Sequence, residues 1–125
     1  MEINEISGQV LDAAMRVHSA LGPGLLESPY EACLMFGLHR RGLKAVSQVE
    51  LPVVYESVKI DVGYRIDILV EDAVIVELKS VDKIVPIHQA QLLSYLKLGG
   101  KRLGLLINFN SLHLKDGITR MVNNL

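Results

Sequence analysis

Cysteine, tryptophan and net charge are all scarce in this sequence. Its one cysteine, Cys33, permits no intramolecular disulfide and no cysteine-based zinc site, and it indicates a reducing, cytoplasmic compartment. There is no tryptophan and aromatic residues are 5% of the chain, so an aromatic ladder for gripping single strands is not expected. The 13 Lys and Arg residues against 14 Asp and Glu residues give a net charge of −1. That balance excludes nucleic-acid binding by bulk electrostatics alone but allows a local basic face.

Long hydrophobic runs are missing as well. No segment approaches the roughly 18 uninterrupted apolar residues of a membrane helix. The N-terminal segment carries Glu2, Glu5 and Asp12 where a signal peptide would be basic. We therefore expect a soluble, cytoplasmic protein that does not contact a membrane.

The sequence does contain enough apolar material for one folded domain. Hydrophobic residues are 50% and charged residues 22% of the 125 residues, which excludes intrinsic disorder and predicts a single domain over residues 1–125. So high an apolar content also suggests a buried subunit interface, in a homodimer or in a larger complex that supplies specificity.

Hydrophobic periodicity predicts two helices at the start of the chain and a mixed sheet after them. Apolar intervals of three and four residues indicate helices over residues 3–21, 26–41 and 87–97. Short β-prone runs indicate strands over residues 46–55, 58–64, 65–70, 73–79 and 103–109. Pro52 marks an edge or a bulge, and residues 112–125 receive no assignment. The predicted fold class is α/β (α+β), a mixed sheet with helices packed on it in the order α-α-β-β-β-β-α-β.

Two acids interrupt the apolar strands. Glu77 and Asp67 each have apolar neighbours on both sides, where a carboxylate needs a charged partner, a metal or a raised pKa. A three-residue loop centred on Asp72 would place the two acids directly opposite each other, because both are equidistant from it. Lys79 follows Glu77 by two residues and therefore shares its strand face.

This set of residues suits metal-assisted hydrolysis of a phosphodiester. Two facing carboxylates repel each other unless a cation lies between them. Together with the backbone carbonyl of residue 78 they offer the oxygen ligands that suit Mg²⁺, with Mn²⁺ as a substitute. A lysine beside such an ion can orient or deprotonate an attacking water, or stabilise the charge that develops on a phosphate. The structural alternative is a cross-strand salt bridge between Lys79 and either acid.

The spacing D-X9-E-X-K from Asp67 to Lys79 resembles that of the PD-(D/E)XK nuclease superfamily, whose fold is restriction-endonuclease-like. The chain is most similar to the small GxxExxY branch of that superfamily. The matching blocks follow one another over nearly the whole chain: GLLESPY at 24–30, GYRID at 63–67, VELK at 76–79, HQAQLLSY at 88–95 and LLINFN at 105–110. Ile66 stands where the superfamily's name has proline, which lowers the specificity of the match only a little.

The resemblance implies roles for the matching acids and for the lysine. It implies that Asp67 and Glu77 bind Mg²⁺ directly, that Glu27 is an auxiliary acid that also holds the metal, through water or directly, and that Lys79 is the catalytic lysine. By the same resemblance, the substrate is nucleic acid, with DNA favoured over RNA.

The resemblance also assigns Gln91 and Tyr95, which are four residues apart on one helix face, to the branch's Q-x-x-x-Y element. That element contacts the substrate or supports the site. His88 opens the same helix and either contacts phosphate or metal or caps the helix.

Other residues have simpler interpretations. Tyr30 lies on the apolar stripe of the second helix and is expected in the core, and Cys33 on that stripe is expected to be a buried thiol. The basic clusters at 39–44 and 97–102 are typical of helix C-termini, but they would form phosphate-contacting walls if both flanked one cleft.

Three hypotheses about function follow. The first is a Mg²⁺-dependent nuclease, the second is a non-catalytic module of the same fold that binds nucleic acid or protein, and the third is a homo-oligomeric assembly subunit. The observation that separates them is whether the carboxylates of Glu27, Asp67 and Glu77 converge with Lys79 beside them.

Overall fold

The computed structural model describes all 125 residues as three α-helices, one short 3-10 helix and seven strands. The helices are α1 (Ile3–Leu21), α2 (Glu27–Arg40) and α3 (Pro86–Gly99), and the 3-10 helix is Leu114–Gly117. The strands are β1 (Ala45–Glu50), β2 (Val53–Tyr55), β3 (Val58–Ile60), β4 (Arg65–Val70), β5 (Val74–Lys79), β6 (Leu103–Asn108) and β7 (Ile118–Val122). None of the helices combines the length and the apolar character that a membrane crossing requires.

Five strands form one mixed sheet in the order β1-β4-β5-β6-β7, and β2 and β3 form a separate hairpin. Only β5 and β6 pair in parallel, and the other neighbours in the sheet are antiparallel. Parallel strands need a crossover connection, and α3 provides it between β5 and β6. The mixed α/β fold class predicted from the sequence is confirmed.

Helices cover both faces of the sheet. On one face α1 and α2 pack against the larger core cluster, in which Tyr30, Leu34 and Leu38 of α2 are fully buried. On the other face α3 packs against a smaller cluster through Leu92 and Leu96. Every residue of β6 is buried between these layers, which explains its nearly continuous apolar sequence.

The strands after α2 are more divided than the sequence predicts. The run 46–55 splits at Pro52, which has no backbone N–H for a ladder, and the N–H of Leu51 donates instead to the carbonyl of Tyr64. The expected strand 58–64 ends at Ile60, because Gly63 adopts a positive φ of 82° as the chain turns. The segment 112–125, for which the sequence predicts no element, contains β7, and β7 pairs with β6 in antiparallel orientation. The observed order is therefore α-α-β-β-β-β-β-α-β-β, with the 3-10 helix before β7.

The expectation of a buried thiol at Cys33 is wrong, because this side chain is exposed. The buried stripe of α2 follows Tyr30, Leu34 and Leu38, and one residue corresponds to a rotation of about 100° around a helix. Cys33 instead borders the groove between α1 and α2, where Gly37 approaches Ala13 closely.

Candidate active site

The two strands that carry the predicted acids separate at one end and leave a fork between them. Pairing of β4 with β5 runs from Val70↔Val74 at the turn to Ile68↔Val76, and it stops there. The next positions in the same register are Asp67 and Glu77, as the three-residue loop centred on residue 72 predicts. Both acids therefore lie at the point where the ladder ends.

Side-chain hydrogen bonds cross the fork where backbone pairing stops. The N–H of Asp67 donates to Oε2 of Glu77 at 2.7 Å, and the N–H of Leu78 donates to Oδ2 of Asp67 at 2.8 Å. The carboxylates thus satisfy backbone donors of the opposite strand that would otherwise lack partners. Each carboxylate keeps further lone pairs with which it can accept a cation.

Burial makes Glu77 costly to ionise. Glu77 is 5% exposed. Burial, followed by the nearby charge of Asp67, raises its pKa from 4.5 to about 8, although the N–H of Asp67 and the ammonium of Lys79 lower it in part. A divalent cation with oxygen ligands would compensate both charges at once. This donor set therefore fits a hard metal ion such as Mg²⁺ or Mn²⁺.

Lys79 lies on the face of β5 that α3 covers. Ile75 packs in the cluster beneath α3, and alternation along the strand puts Glu77 and Lys79 on the same face. The Nζ of Lys79 donates to Oε1 of Gln91 at 3.5 Å, and the Nε2 of Gln91 donates to the hydroxyl of Tyr95 at 3.4 Å. The structure thus joins Lys79 to both predicted residues of α3.

The nearby acids also affect the pKa of Tyr95. Burial, followed by the charge of Glu77, raises the pKa of its phenol above the ordinary value of 10.0. Its ring also meets the ring of Tyr64, with centroids 5.9 Å apart. Tyr64 precedes β4 in the block at 63–67, where the resemblance assigns it no role.

Glu31 of α2, one turn after the predicted Glu27, comes under the influence of Asp67. Burial, followed by the charge of Asp67, raises the pKa of Glu31, and the Nε2 of Gln48 donates to its two oxygens at 3.0 and 3.3 Å. The side chain of Glu27 makes no hydrogen bond or ion pair in the structure. No group of three or more His, Cys, Asp or Glu side chains lies close enough to hold a metal ion in this conformation.

Sequence reasoning missed Glu31 and Gln48, although a signal for Glu31 exists. It is four residues after Glu27, so the two acids share one face of α2. Gln48 gives no sequence signal, because its place depends on a positive φ of 53° in β1. That residue lies between the β1–β4 pairs on either side of Asp67, and non-glycine residues rarely adopt such a backbone conformation.

The block at 24–30 fastens the start of α2 to the end of the sheet. Tyr30 is fully buried, as predicted, and its ring stacks on Phe109 with centroids 4.6 Å apart. Its hydroxyl donates to the carbonyl of Gly22 at 2.6 Å and accepts the N–H of Leu25 at 3.2 Å. This buried tyrosine therefore holds the α1–α2 loop in one conformation.

Two further contacts tie that loop to the strand ends. The N–H of Gly24, whose φ is 102°, donates to Oδ1 of Asn110 at 3.0 Å, and the hydroxyl of Ser80 donates to the carbonyl of Leu25. Ser80 follows Lys79 directly. The first turn of α2, with Glu27, is thereby held beside the end of β5.

His88 acts as a cap at the start of α3. Its Nδ1 accepts the N–H of Val85 at 3.1 Å, which satisfies a backbone donor that the helix leaves free. This is the capping alternative considered for this residue.

The two basic clusters do not flank the fork. The Nζ of Lys101 pairs with Asp72 at 3.0 Å, and the N–H of Lys44 donates to Oε2 of Glu71. Glu71 and Asp72 form the β4–β5 turn, at the opposite end of these strands from the acids. The phosphate-contacting walls considered from the sequence are therefore not present at this site.

A cavity of about 640 Å³ lies between α1 and α2 and contains none of the predicted site residues. The groups that could carry out chemistry lie instead at the small fork, where buried Glu77 faces Asp67 and Lys79 lies on the same strand face. A carboxyl group whose pKa is raised as strongly as that of Glu77 is typical of a functional site.

Comparison with known proteins gives one finding. Neither the curated proteins nor the solved structures contain a match. A family model described as the PD-(D/E)XK nuclease superfamily matches residues 4–121, which include both strands of the fork, the acids and Lys79. The chain belongs to the PD-(D/E)XK nuclease superfamily.

Proposed function

We propose that this chain is a divalent-metal-dependent nuclease of the GxxExxY branch, and that it hydrolyses phosphodiester bonds in DNA. Its superfamily points to nuclease activity on nucleic acid, and nucleases of this superfamily generally use divalent metals. The observation that carries the proposal is the pair of facing carboxylates at the fork, with Lys79 on the same strand face as Glu77. The 125 residues would act as one catalytic domain.

In this proposal Asp67 and Glu77 hold Mg²⁺, for which Mn²⁺ can substitute. The metal supplies a Lewis acid for the phosphate and a bound water of lowered pKa. The hydrogen bonds across the fork support the assignment, because they keep both carboxylates at one position before any ligand arrives. Glu27 would hold the metal through water, and Glu31 would contribute a further negative charge from the same face of α2.

Lys79 would orient the attacking water or stabilise the charge that develops on the phosphate. Its hydrogen bond to Gln91 restricts the position of the ammonium, and Tyr95 in turn holds the amide of Gln91. Gln91 and Tyr95 would therefore position the lysine. His88 would support them by capping α3.

The test is cleavage of fluorescently labelled DNA with Mg²⁺ or Mn²⁺ and in EDTA. We expect cleavage that requires the metal, and we expect Lys79→Ala to lower its rate by about 10²-fold or more, as for other positioned groups of this kind. Lys44→Ala removes an exposed lysine beside the β4–β5 turn, at the opposite end of the strands from the acids, and should keep the wild-type rate.

Two outcomes would contradict the proposal. One is DNA cleavage that persists in EDTA or in folded Lys79→Ala protein. The other is the absence of cleavage together with no binding of Mg²⁺ or Mn²⁺ by calorimetry and no effect of Asp67→Asn, which would favour the non-catalytic binding module. Melting curves of each variant show whether a loss of activity reflects unfolding.

A further inference from the structure

Exposed apolar side chains lie near the fork at the starts of α2, β4 and α3. They are Leu26, just before α2, Tyr64, just before β4, and Ile87 in the first turn of α3. Their exposed fractions are 79%, 47% and 70%. We call these three residues the apolar rim.

Tyr64 and Ile87 are each connected to residues of the site. The ring of Tyr64 meets that of Tyr95, whose hydroxyl accepts a hydrogen bond from Nε2 of Gln91, the hydrogen-bond partner of Lys79. Ile87 precedes Gln91 by four residues, as Gln91 precedes Tyr95, so the three side chains share one stripe of α3.

Leu26 belongs to the rim through the anchored α1–α2 loop. The preceding carbonyl, of Leu25, accepts the hydroxyl of Ser80, and the following residue is Glu27. The rim thus reaches the site from the loop, from the start of β4 and from the start of α3.

The two basic clusters lie away from the rim. Lys101 pairs with Asp72 at the β4–β5 turn. Of the basic residues nearer to the rim, Arg65 pairs with Glu50 at 3.6 Å, and Lys83 lines a separate pocket with Asp82 and Asp116. Duplex DNA presents mainly phosphates to a protein surface, and affinity for it depends on Lys and Arg residues. A border of leucine, isoleucine and tyrosine side chains lacks the groups for that interaction.

We propose that the apolar rim binds unpaired nucleobases on either side of the phosphate at the fork, so that the substrate is a single strand or an unpaired segment. This inference rests on the proposed function. Unpaired bases expose apolar faces, which stack on aromatic rings and pack on aliphatic side chains. A paired base has these faces covered by its neighbours in the stack. One tyrosine at the site suffices for this role, so an aromatic ladder is not required.

The test uses one labelled oligonucleotide, as a single strand and as a blunt duplex with its complement. We expect KM to be about tenfold or more lower for the single strand. Tyr64→Ala should raise KM on the single strand by roughly 5- to 100-fold with kcat unchanged, since losing the stacking of one base weakens binding by about this factor. Tyr64→Phe should behave as wild type. Ile87→Ser should also raise KM on the single strand, even though Tyr64 is intact. Phe36→Ala, an exposed aromatic of the α1–α2 groove, is the matched control and should change neither constant.

Three results would overturn the proposal. If cleavage occurs but the duplex has an equal or lower KM, or if folded Tyr64→Ala matches wild type, the rim does not bind bases although the nuclease assignment stands. If a concentration-dependent mass disappears in Tyr64→Ala, a second copy of the chain covers the rim instead.

If neither form of the oligonucleotide is cleaved, the nuclease assignment fails, and binding then decides about the rim. Fluorescence anisotropy with the Lys79→Ala protein and Mg²⁺ measures this binding without cleavage. Affinity for the single strand that falls in the Lys79→Ala, Tyr64→Ala double variant supports the rim, and no affinity for the single strand refutes it.

Discussion

The facing acids at the fork should make the stability of the metal-free protein fall as the pH rises. The pKa of Glu77 is 4.5 in an ordinary environment and about 8 in the folded chain, because burial and the charge of Asp67 disfavour its ionised form. Between these values the folded state binds more protons than the unfolded state, so the free energy of unfolding decreases with pH. The contribution of protonated Glu77 to the free energy of unfolding is fully lost once the pH has passed through the pKa of the folded state.

The expected loss is large in relation to the stability of a small domain. Each pKa unit corresponds to about 1.4 kcal/mol, so a rise from 4.5 to about 8 amounts to roughly 3–5 kcal/mol. A domain of this kind has a total stability of about 5–15 kcal/mol. The measurement is urea denaturation in EDTA at several pH values from 5 to 8 and at constant ionic strength, compared between wild type and Glu77→Gln.

Glu77→Gln should remove most of this pH dependence, whereas Glu56→Gln at the exposed β2–β3 turn should retain it. Mg²⁺ at saturating concentration should restore stability at pH 8 in wild type, since a ligand that binds only the folded state stabilises it. Wild-type stability that is equal at pH 5 and pH 8 in EDTA would refute the reasoning. A slope that Glu77→Gln leaves unchanged would refute it as well.

Two packing features lead to further predictions. Tyr30→Phe should lower the free energy of unfolding by about 1–2 kcal/mol, because the carbonyl of Gly22 and the N–H of Leu25 lose their shared partner. Unchanged stability in urea would show that these bonds are not needed to hold the loop. Gly104→Ala should cost about 1–3 kcal/mol, because its Cβ would lie 2.8 Å from Cδ1 of Leu92 beneath α3. Gly8→Ala in α1, with nothing within 4 Å of its Cβ, is the control and should be neutral or stabilising. Equal urea midpoints for these two glycine variants would contradict the predicted clash.

The local elements could be predicted because neighbouring residues determine them. The helix at 3–21 follows from apolar periodicity and the buried strand at 103–109 from its nearly continuous apolar run, and both occur within a residue of their expected bounds. The register of Asp67 with Glu77 follows from a three-residue loop, since loop length sets the pairing of a hairpin. The core position of Tyr30 also follows from its helical stripe.

Features that depend on distant contacts could not be predicted. Glu31 and Gln48 meet only because α2 packs beside β1, and Gln48 takes a backbone conformation that its residue type does not favour. The tail pairs with β6 although its own pattern gives little sign of a strand. Each of these contacts joins segments that are far apart in the sequence or lack a regular apolar period.

The sequence by itself determined the fold class, the facing acids and the lysine beside them. Turn length and the two-residue period of a strand are local rules, and they place Asp67, Glu77 and Lys79 without knowledge of the rest of the chain. Only the tertiary structure decided that Glu31 comes under the influence of Asp67, that the basic clusters lie at the opposite end of the strands, and that exposed apolar side chains lie near the fork. Those outcomes depend on how helices pack on the sheet, which the burial of the whole core sets rather than any single segment.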